Sequence, residues 1–354
     1  MRQELDVEVK DYKIIITDDE ISKLIDELGW FTDGQKRLFV ISERVYKLYN
    51  EVLNIDKSEL LVLKDGEKEK NFKNYIKILT KAEELGLRRT DVIIAIGGGV
   101  IGDIAGFAAA TYMRGIDYIQ VPTTLLSMVD SSVGGKTAID LGGVKNIVGA
   151  FYQPKRVYIY TKFLETLDKR QFFSGMGEVL KYAFIEDNCG YKHPLYLFEY
   201  LTLSVDKFLN KDSITLMRAI EYCLNLKIAV VNQDEKEAGL RKILNLGHTI
   251  GHALEAKGNF RKYTHGEAVV QGIFFIMNYA YSKGYITYSY YRLSTELLEK
   301  YGFKSQIVKK GSELLKFIKR DKKATSKGIS FIVPSNKKRV KEINLTLDEV
   351  SSLF

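Results

Sequence analysis

Three of the four histidines of this chain, His248, His252 and His265, fall within residues 245–267, NLGHTIGHALEAKGNFRKYTHGE. His248 and His252 are four residues apart, so a helix would carry them one above the other on a single face. Neutral imidazole is a common ligand for divalent transition metals, and a helical pair at this spacing is a standard way to present two of them. His265 follows a polar, glycine-containing segment and could fold back to the same point. A lone histidine would be read as a core or loop residue. A cluster in a histidine-poor chain favours metal. The zinc-protease pattern is absent, because it needs a Glu beside the first histidine as general base and Thr249 stands there.

Other residues could join the cluster. Glu178 and Lys181 in FSGMGEVLKYA are three apart and share a helical face. Taken alone they would be a solvated ion pair. Beside two histidines, Glu178 completes a set that leaves coordination open for a substrate. Arg241, Asn245 and His248 follow one another at steps of four and three, so one continuous helix would project all three together. Lys227 lies one helical stretch earlier.

Two glycine-rich stretches suit phosphate. Gly97, Gly99 and Gly102 satisfy GxGxxG directly after the strand pattern DVIIAI and at the start of a helix, the context that supports dinucleotide binding. Close helix–sheet packing would explain the same glycines. Asp117 comes too early to be the usual ribose-binding acid, and Asp65-Gly66-Glu67 after the strand ELLVL is a substitute for it. The stretch 121–154 reads as a long irregular loop holding Asp130, Lys136, Lys145 and Asn146 among backbone-donating glycines. Its GGKT is not a nucleotide P-loop, because Asp130 occupies the position where that spacing needs a glycine.

The elements that must hold these residues follow from hydrophobic period. Strands at 13–17, 37–41, 59–63, 91–96, 117–121 and 156–160 are interleaved with amphipathic helical stretches. Beyond Phe163 the period becomes helical, at 171–186, 193–209, 212–231, 248–257, 266–283, 289–300 and 311–319, with a strand pattern only at 329–334. The expected architecture is an α/β, Rossmann-like N-terminal domain with a parallel sheet at 1–162, followed by a mainly α-helical domain at 163–354.

Composition sets the outer limits. The net charge of +8 could serve nucleic acid or an anionic small substrate, but the lysines are spread along the chain, without a basic helix or an aromatic RNA-binding motif. No nucleic-acid partner is expected. Two cysteines, Cys189 and Cys223, without a CxxC pair fit a reducing compartment. No apolar run is long enough to span a bilayer, and the N-terminus is too charged for a signal peptide, so no membrane and a cytoplasmic location are expected.

The stretches GGGVIGDIAGFAAATYMRGI, VPTTLLSMVDSSVGGKTAID, GAFYQP, FSGMGEVLKYA, DEKEAGLRKILNLGHTIGHALE and HGEAV, in this order, resemble the 3-dehydroquinate synthase family over nearly the whole chain. The resemblance implies an NAD-binding α/β domain, a helical domain and an active site in the cleft between them. It implies conversion of 3-deoxy-D-arabino-heptulosonate 7-phosphate (DAHP) to 3-dehydroquinate and phosphate, the second step of the shikimate pathway. NAD would be reduced and reoxidised within one turnover: oxidation of a hydroxyl, elimination of phosphate, reduction, ring opening and an intramolecular aldol closure. Members are typically cytoplasmic homodimers requiring zinc or cobalt.

By the same resemblance Glu178, His248 and His265 are the metal ligands, which moves His252 from the metal to the substrate. Asp130, Lys136, Asn146, Lys181, Lys227, Arg241 and Asn245 match substrate-site positions, and Lys322 is chosen over Lys323 as a further contact. Arg114 matches an arginine that reaches a neighbouring subunit's site. Cofactor positions are Asp65, Gly66, Glu67, Lys70, Gly99, Val100, Ile101, Gly102, Asp103, Thr123, Thr124, Lys136, Lys145, Phe163, Leu164, Glu165 and Thr166. Two departures stand out: Glu43 and Arg44 replace an Asp and an Asn near the adenosine end, and Asp168 replaces a proline. Related cyclases that make aminocyclitols or valiolone usually alter the GGKT loop, and a polyol dehydrogenase would not need so dense an anion-binding set.

Overall fold

In the computed structural model, which describes residues 4–9, 12–142, 144–259, 261–306, 312–318, 324–325 and 328–352, the alternating strand and helix patterns of the first half become one sheet and its covering helices. Met1–Asp168 with Leu216–Leu224 form one compact unit, and Lys169–Thr215 with Asn225–Phe354 form the other.

The first unit runs β1 (Glu4–Val9), β2 (Tyr12–Thr17), α1 (Leu24–Phe31), β3 (Arg37–Ser42), α2 (Glu43–Leu53), β4 (Leu60–Leu63), α3 (Phe72–Glu84), β5 (Val92–Gly97), α4 (Gly99–Thr111), β6 (Asp117–Pro122), β7 (Lys136–Leu141), β8 (Val144–Phe151) and β9 (Arg156–Tyr160). Its seven-stranded sheet has the order β1-β2-β9-β6-β5-β3-β4, parallel throughout except for β1. A parallel sheet is covered on both faces, and β5 is accordingly buried at every position. Side-chain caps start the helices: Ser42 accepts from Val45 N–H at 3.2 Å for α2, and Asn71 from Asn74 N–H at 3.0 Å for α3.

Two features depart from the sequence reading. The stretch 121–154 is not one irregular loop. It holds a π-helical turn at Ser127–Ser131 and the antiparallel hairpin β7–β8, in which Thr137 opposes Ala150. β1, with the charged text ELDVEV, adds an antiparallel edge strand; its alternation leaves Val7 buried and Glu4 and Glu8 outside.

The second unit contains α5 (Lys169–Ala183), α6 (Leu197–Leu203), α7 (Val205–Leu209), the ends of α8 (Ser213–Gln233), α9 (His248–Lys257), α10 (His265–Ser282), α11 (Tyr288–Lys300) and α12 (Ser312–Ile318). These follow the helical period closely, save that 193–209 breaks in two at Ser204. After them come the short β10 (Ala324–Thr325), β11 (Gly328–Asn336), β12 (Arg339–Leu345) and α13 (Leu347–Ser352). β11 pairs antiparallel with β12, a strand that its charged sequence had hidden.

Two backbone contacts fix α10 in place. Where α10 crosses α5, a Cβ on Gly266 would lie 1.8 Å from the Ser174 carbonyl oxygen, and one on Gly177 would lie 2.6 Å from the Gly266 oxygen. Further along, a Cβ on Gly272 would meet the Gly247 carbonyl at 1.9 Å. Only glycine permits such approaches. The start of α10 is also closed by a capping box, with Thr264 and Glu267 each bonding the other's backbone N–H.

Replacing Gly266 by Ala should therefore force α5 and α10 apart. A loss of about 1–3 kcal/mol or more is expected, as for other overpacked sites, read as a lower midpoint in denaturant unfolding. An unchanged midpoint would show that the crossing yields freely.

Candidate active site

The centre of the second unit is a buried carboxylate facing two imidazoles. Gly247, with a φ of 78°, caps α9 in the left-handed region that suits glycine, and so places His248 as the first helical residue. The His248 Nδ1–H donates to the Leu246 carbonyl at 3.1 Å, which leaves Nε2 aimed at Glu178 Oε1, 3.7 Å away. His265, first residue of α10, sets Nδ1 3.3 Å from Glu255 Oε2 and Nε2 3.5 Å from Glu178 Oε1. Glu178 has no solvent exposure, and its Oε2 lies 2.5 Å from Lys181 Nζ.

These spacings suit a tetrahedral cation. Ligand atoms from Glu178, His248 and His265 lie within 4.8 Å of one another. A zinc–ligand bond of about 2.0–2.1 Å gives a tetrahedral edge of about 3.4 Å, close to the two carboxylate–imidazole distances. Electrostatics agree. Burial disfavours charge on His265, yet the hydrogen bonds and charges of Glu178 and Glu255 outweigh it and push the ring up to about 10. Two carboxylates facing one ring make a pocket of negative charge, which a divalent cation would answer. His252 stands one turn along α9, its ring 5.5 Å from that of His248 and 6.2 Å from that of His265. It belongs to no three-residue cluster with Glu178 among the described residues; its own cluster is with Glu255 and His265.

The approach to His248 differs from the expectation of one helix. Leu240–Asn245 is a 3-10 segment, and Gly247 breaks it from α9. Arg241 and Asn245 are thus placed by the 3-10 segment and His248 by α9. Arg241 is buried, and its guanidinium donates to the Glu235 carbonyl. Asn245 Nδ2 donates to Glu237 Oε1 at 2.7 Å. The turn that leads into Arg241 hangs on Asp234, which sequence reasoning missed. Its carboxylate accepts N–H bonds from Ala238 at 2.8 Å, Gly239 at 2.7 Å and Arg241 at 2.9 Å. The Arg241 and Gly239 bonds hold the Asp234 carboxyl below its usual range. The signal was present in the sequence as an Asp ahead of a glycine turn. Lys181 and Lys227 are both buried.

The first unit gathers a different set. Gly99, Val100, Ile101, Gly102 and Asp103 form the first turns of α4, directly after β5. Close packing is one use of these glycines: a Cβ on Gly99 would meet Ser131 Oγ at 2.9 Å, and one on Gly102 would meet Gln120 Oε1 at 2.8 Å. Lys70, almost fully buried, donates to both Asp103 Oδ2 and Asn146 Oδ1. Burial opposes its charge, but Asp103, with Glu67 and Asp140 behind it, raises the ammonium above its ordinary range. Asn146 adopts a φ of 54° in β8, and its N–H is held by Asp140 at 2.9 Å. Asp130 lies in the π-helical turn, a conformation that recurs at functional sites.

The remaining positions are scattered more widely. Lys136 opens β7 and is exposed. Lys145 pairs with Glu67 at 3.5 Å, and Asp65 accepts the Arg44 N–H at 2.9 Å. Gly66 has a φ of 109°. Thr123 N–H bonds the Gly97 carbonyl and Thr124 Oγ1 pairs with Ser127 Oγ. Phe163 and Leu164 are buried, Glu165 follows them, and Thr166 Oγ1 meets Tyr49 OH at 2.7 Å. Arg114 is exposed in a turn where it and Met113 both have positive φ, 65° and 49°. Lys322 lies outside the described residues. Cys189 and Cys223 are buried thiols that form no disulfide with each other.

The sequence matches two family profiles, described as 3-dehydroquinate synthase N-terminal over residues 60–174 and 3-dehydroquinate synthase C-terminal over residues 175–324. It is 43% identical over 339 residues to the 3-dehydroquinate synthase of Alkaliphilus metalliredigens, covering 94% of this chain and 93% of that one. With the 3-dehydroquinate synthase of Dictyoglomus thermophilum it shares 42% over 350 residues, 98% of this chain and 96% of the relative. Among solved structures, the 2-epi-5-epi-valiolone synthase of Streptomyces hygroscopicus subsp. jinggangensis, with NAD+ and Zn2+ bound, has a similar fold: TM-score 0.82 at 21% identity, covering 98% of this chain and 96% of that one.

Replacing Asp234 by Ala should release three backbone donors and loosen the turn that carries Arg241, while α8 and α9 persist. Circular dichroism should be unchanged, and protease cleavage within 234–241 should accelerate. Unaltered cleavage would mean that the turn does not depend on Asp234.

Proposed function

This chain belongs to the 3-dehydroquinate synthase family, and on that premise we propose that it is the phosphate-eliminating lyase that turns DAHP into 3-dehydroquinate and phosphate, using NAD catalytically. The observation that carries the reading is the buried Glu178 carboxylate set between His248, His265 and Lys181. Glu178, His248 and His265 would hold a divalent zinc or cobalt ion. When bound, NAD takes and returns the hydride, and the cation polarises the oxygen being oxidised.

The chain's own residues would do the rest. Lys181, Lys227 and Arg241 are buried cations, suited to a substrate that bears both a phosphate and a carboxylate. Lys136, Asn146, Asp130 and Asn245 add polar contacts. His252, near the cluster but outside the Glu178 set, is the candidate for moving a proton at the substrate. The first turns of α4 would face the pyrophosphate. At the adenosine end Arg44 departs from the family, with its N–H on Asp65 and its guanidinium 3.5 Å from the Thr166 carbonyl. A cytoplasmic homodimer is proposed, in which exposed Arg114 reaches the partner's site. Among the described residues no helix is long and apolar enough to cross a membrane.

The test is phosphate release from DAHP in the presence of NAD, with and without chelator. Metal-dependent phosphate release without net NADH is expected. Accumulating NADH would point to a dehydrogenase, and no phosphate release would remove the reading. In the same assay His248→Ala and Glu178→Gln should lose both metal and turnover. His252→Ala should keep the metal but slow turnover about 100-fold or more, as for loss of an acid–base group. Loss of metal from His252→Ala would restore a helical pair as the ligand set.

A further inference from the structure

We propose that Glu255 is a positioning residue, whose carboxylate fixes the tautomer and the aim of His265; the proposal rests on the reading of Glu178, His248 and His265 as metal ligands. Glu255 lies on α9, two turns after His248, and is only 6% exposed. A glutamate is seldom buried without a specific partner. Its Oε2 stands 3.3 Å from His265 Nδ1, while Nε2 of the same ring points to Glu178 Oε1 at 3.5 Å. An Nδ1–H held by Glu255 leaves the Nε2 lone pair for a cation and raises the basicity of the ring.

The two histidines are thereby oriented by different means. His248 uses a neutral backbone carbonyl, Leu246 O at 3.1 Å, which no side-chain substitution can remove. His265 depends on an anionic side chain. The same elements tie the pair together, because α9 carries both His248 and Glu255, so one helix supplies one imidazole and the orienting group of the other. Glu255 also stands near His252, and the three groups together could suggest a second cation. That arrangement would require His265 to give both ring nitrogens to cations at once, and the positioning role needs no such bridge.

The experiment compares wild type, Glu255→Ala, Glu255→Gln and His248→Ala, each stripped of metal. Zn2+ affinity is measured by competition with a fluorescent chelator, Co2+ loading by its visible absorption, and metal-free stability by thermal midpoint. Glu255→Ala should bind Zn2+ about 10–100-fold more weakly, the usual consequence of losing such an orienting group. Glu255→Gln should be several-fold weaker than wild type and tighter than Ala, because its amide oxygen still accepts from Nδ1–H without the charge. Its metal-free midpoint should fall less than that of Glu255→Ala, because only the charge is lost and the hydrogen bond stays, and the Co2+ bands should shift. Wild-type affinity in Glu255→Gln would overturn the proposal, even if the Ala variant failed to fold. Two Zn2+ per wild-type chain and one in Glu255→Gln would also overturn it, by making Glu255 a ligand. Unchanged affinity in His248→Ala would instead strike down the ligand reading beneath it.

Discussion

A carboxylate with no access to water must be met by positive charge, and Glu178 is such a group. Taking one ion out of water costs several kcal/mol even after the protein relaxes. Lys181, three residues along α5, answers one oxygen. The other faces two imidazoles from α9 and α10. The second unit can be understood as the packing that keeps this arrangement dry: α5 supplies the carboxylate, α9 and α10 supply the rings, and glycines let the three helices close around it.

The same logic of buried charge recurs in the first unit. Lys70 is almost wholly enclosed and answered by Asp103 at the start of α4 and by Asn146 in β8. One ammonium therefore links the glycine turn after β5 to the hairpin after β6. In both units the groups of interest are held by charge pairs rather than by isolated loops, which keeps their orientations few.

Long helices and central strands were legible because their apolar period is set by burial, complete along 92–97 and recurring with helical period along 265–282. The histidine cluster was legible because its members are close in sequence or one helix apart. The β7–β8 hairpin was not. Its pairing lies between residues that alternate weakly and are interrupted by glycines, so no local period betrays it. β12 was masked in the same way by RVKEI, where the consecutive exposed Lys341 and Glu342 break the apolar alternation. The break at Gly247 was hidden because a step of seven residues suits a continuous helix as well as two short ones. Asp234 and Glu255 went unseen for another reason: each acts through a second group, backbone N–H bonds in one case and an imidazole in the other. Residue type and spacing report what a side chain could touch, and they are silent on what it holds in place.

The crossing of α5 and α10 has a further consequence. Glu178 and His265 are each the immediate neighbour of a glycine whose backbone touches the opposite helix. The separation of the two helices that carry carboxylate and imidazole is then set by main chain against main chain, which leaves each side chain few ways to reach the other. A gauge of that kind sorts ions by radius as well as by donor preference. Small, borderline-soft cations would span it, while a large oxygen-seeking ion such as calcium would find the jaws too narrow and the nitrogens unwelcoming.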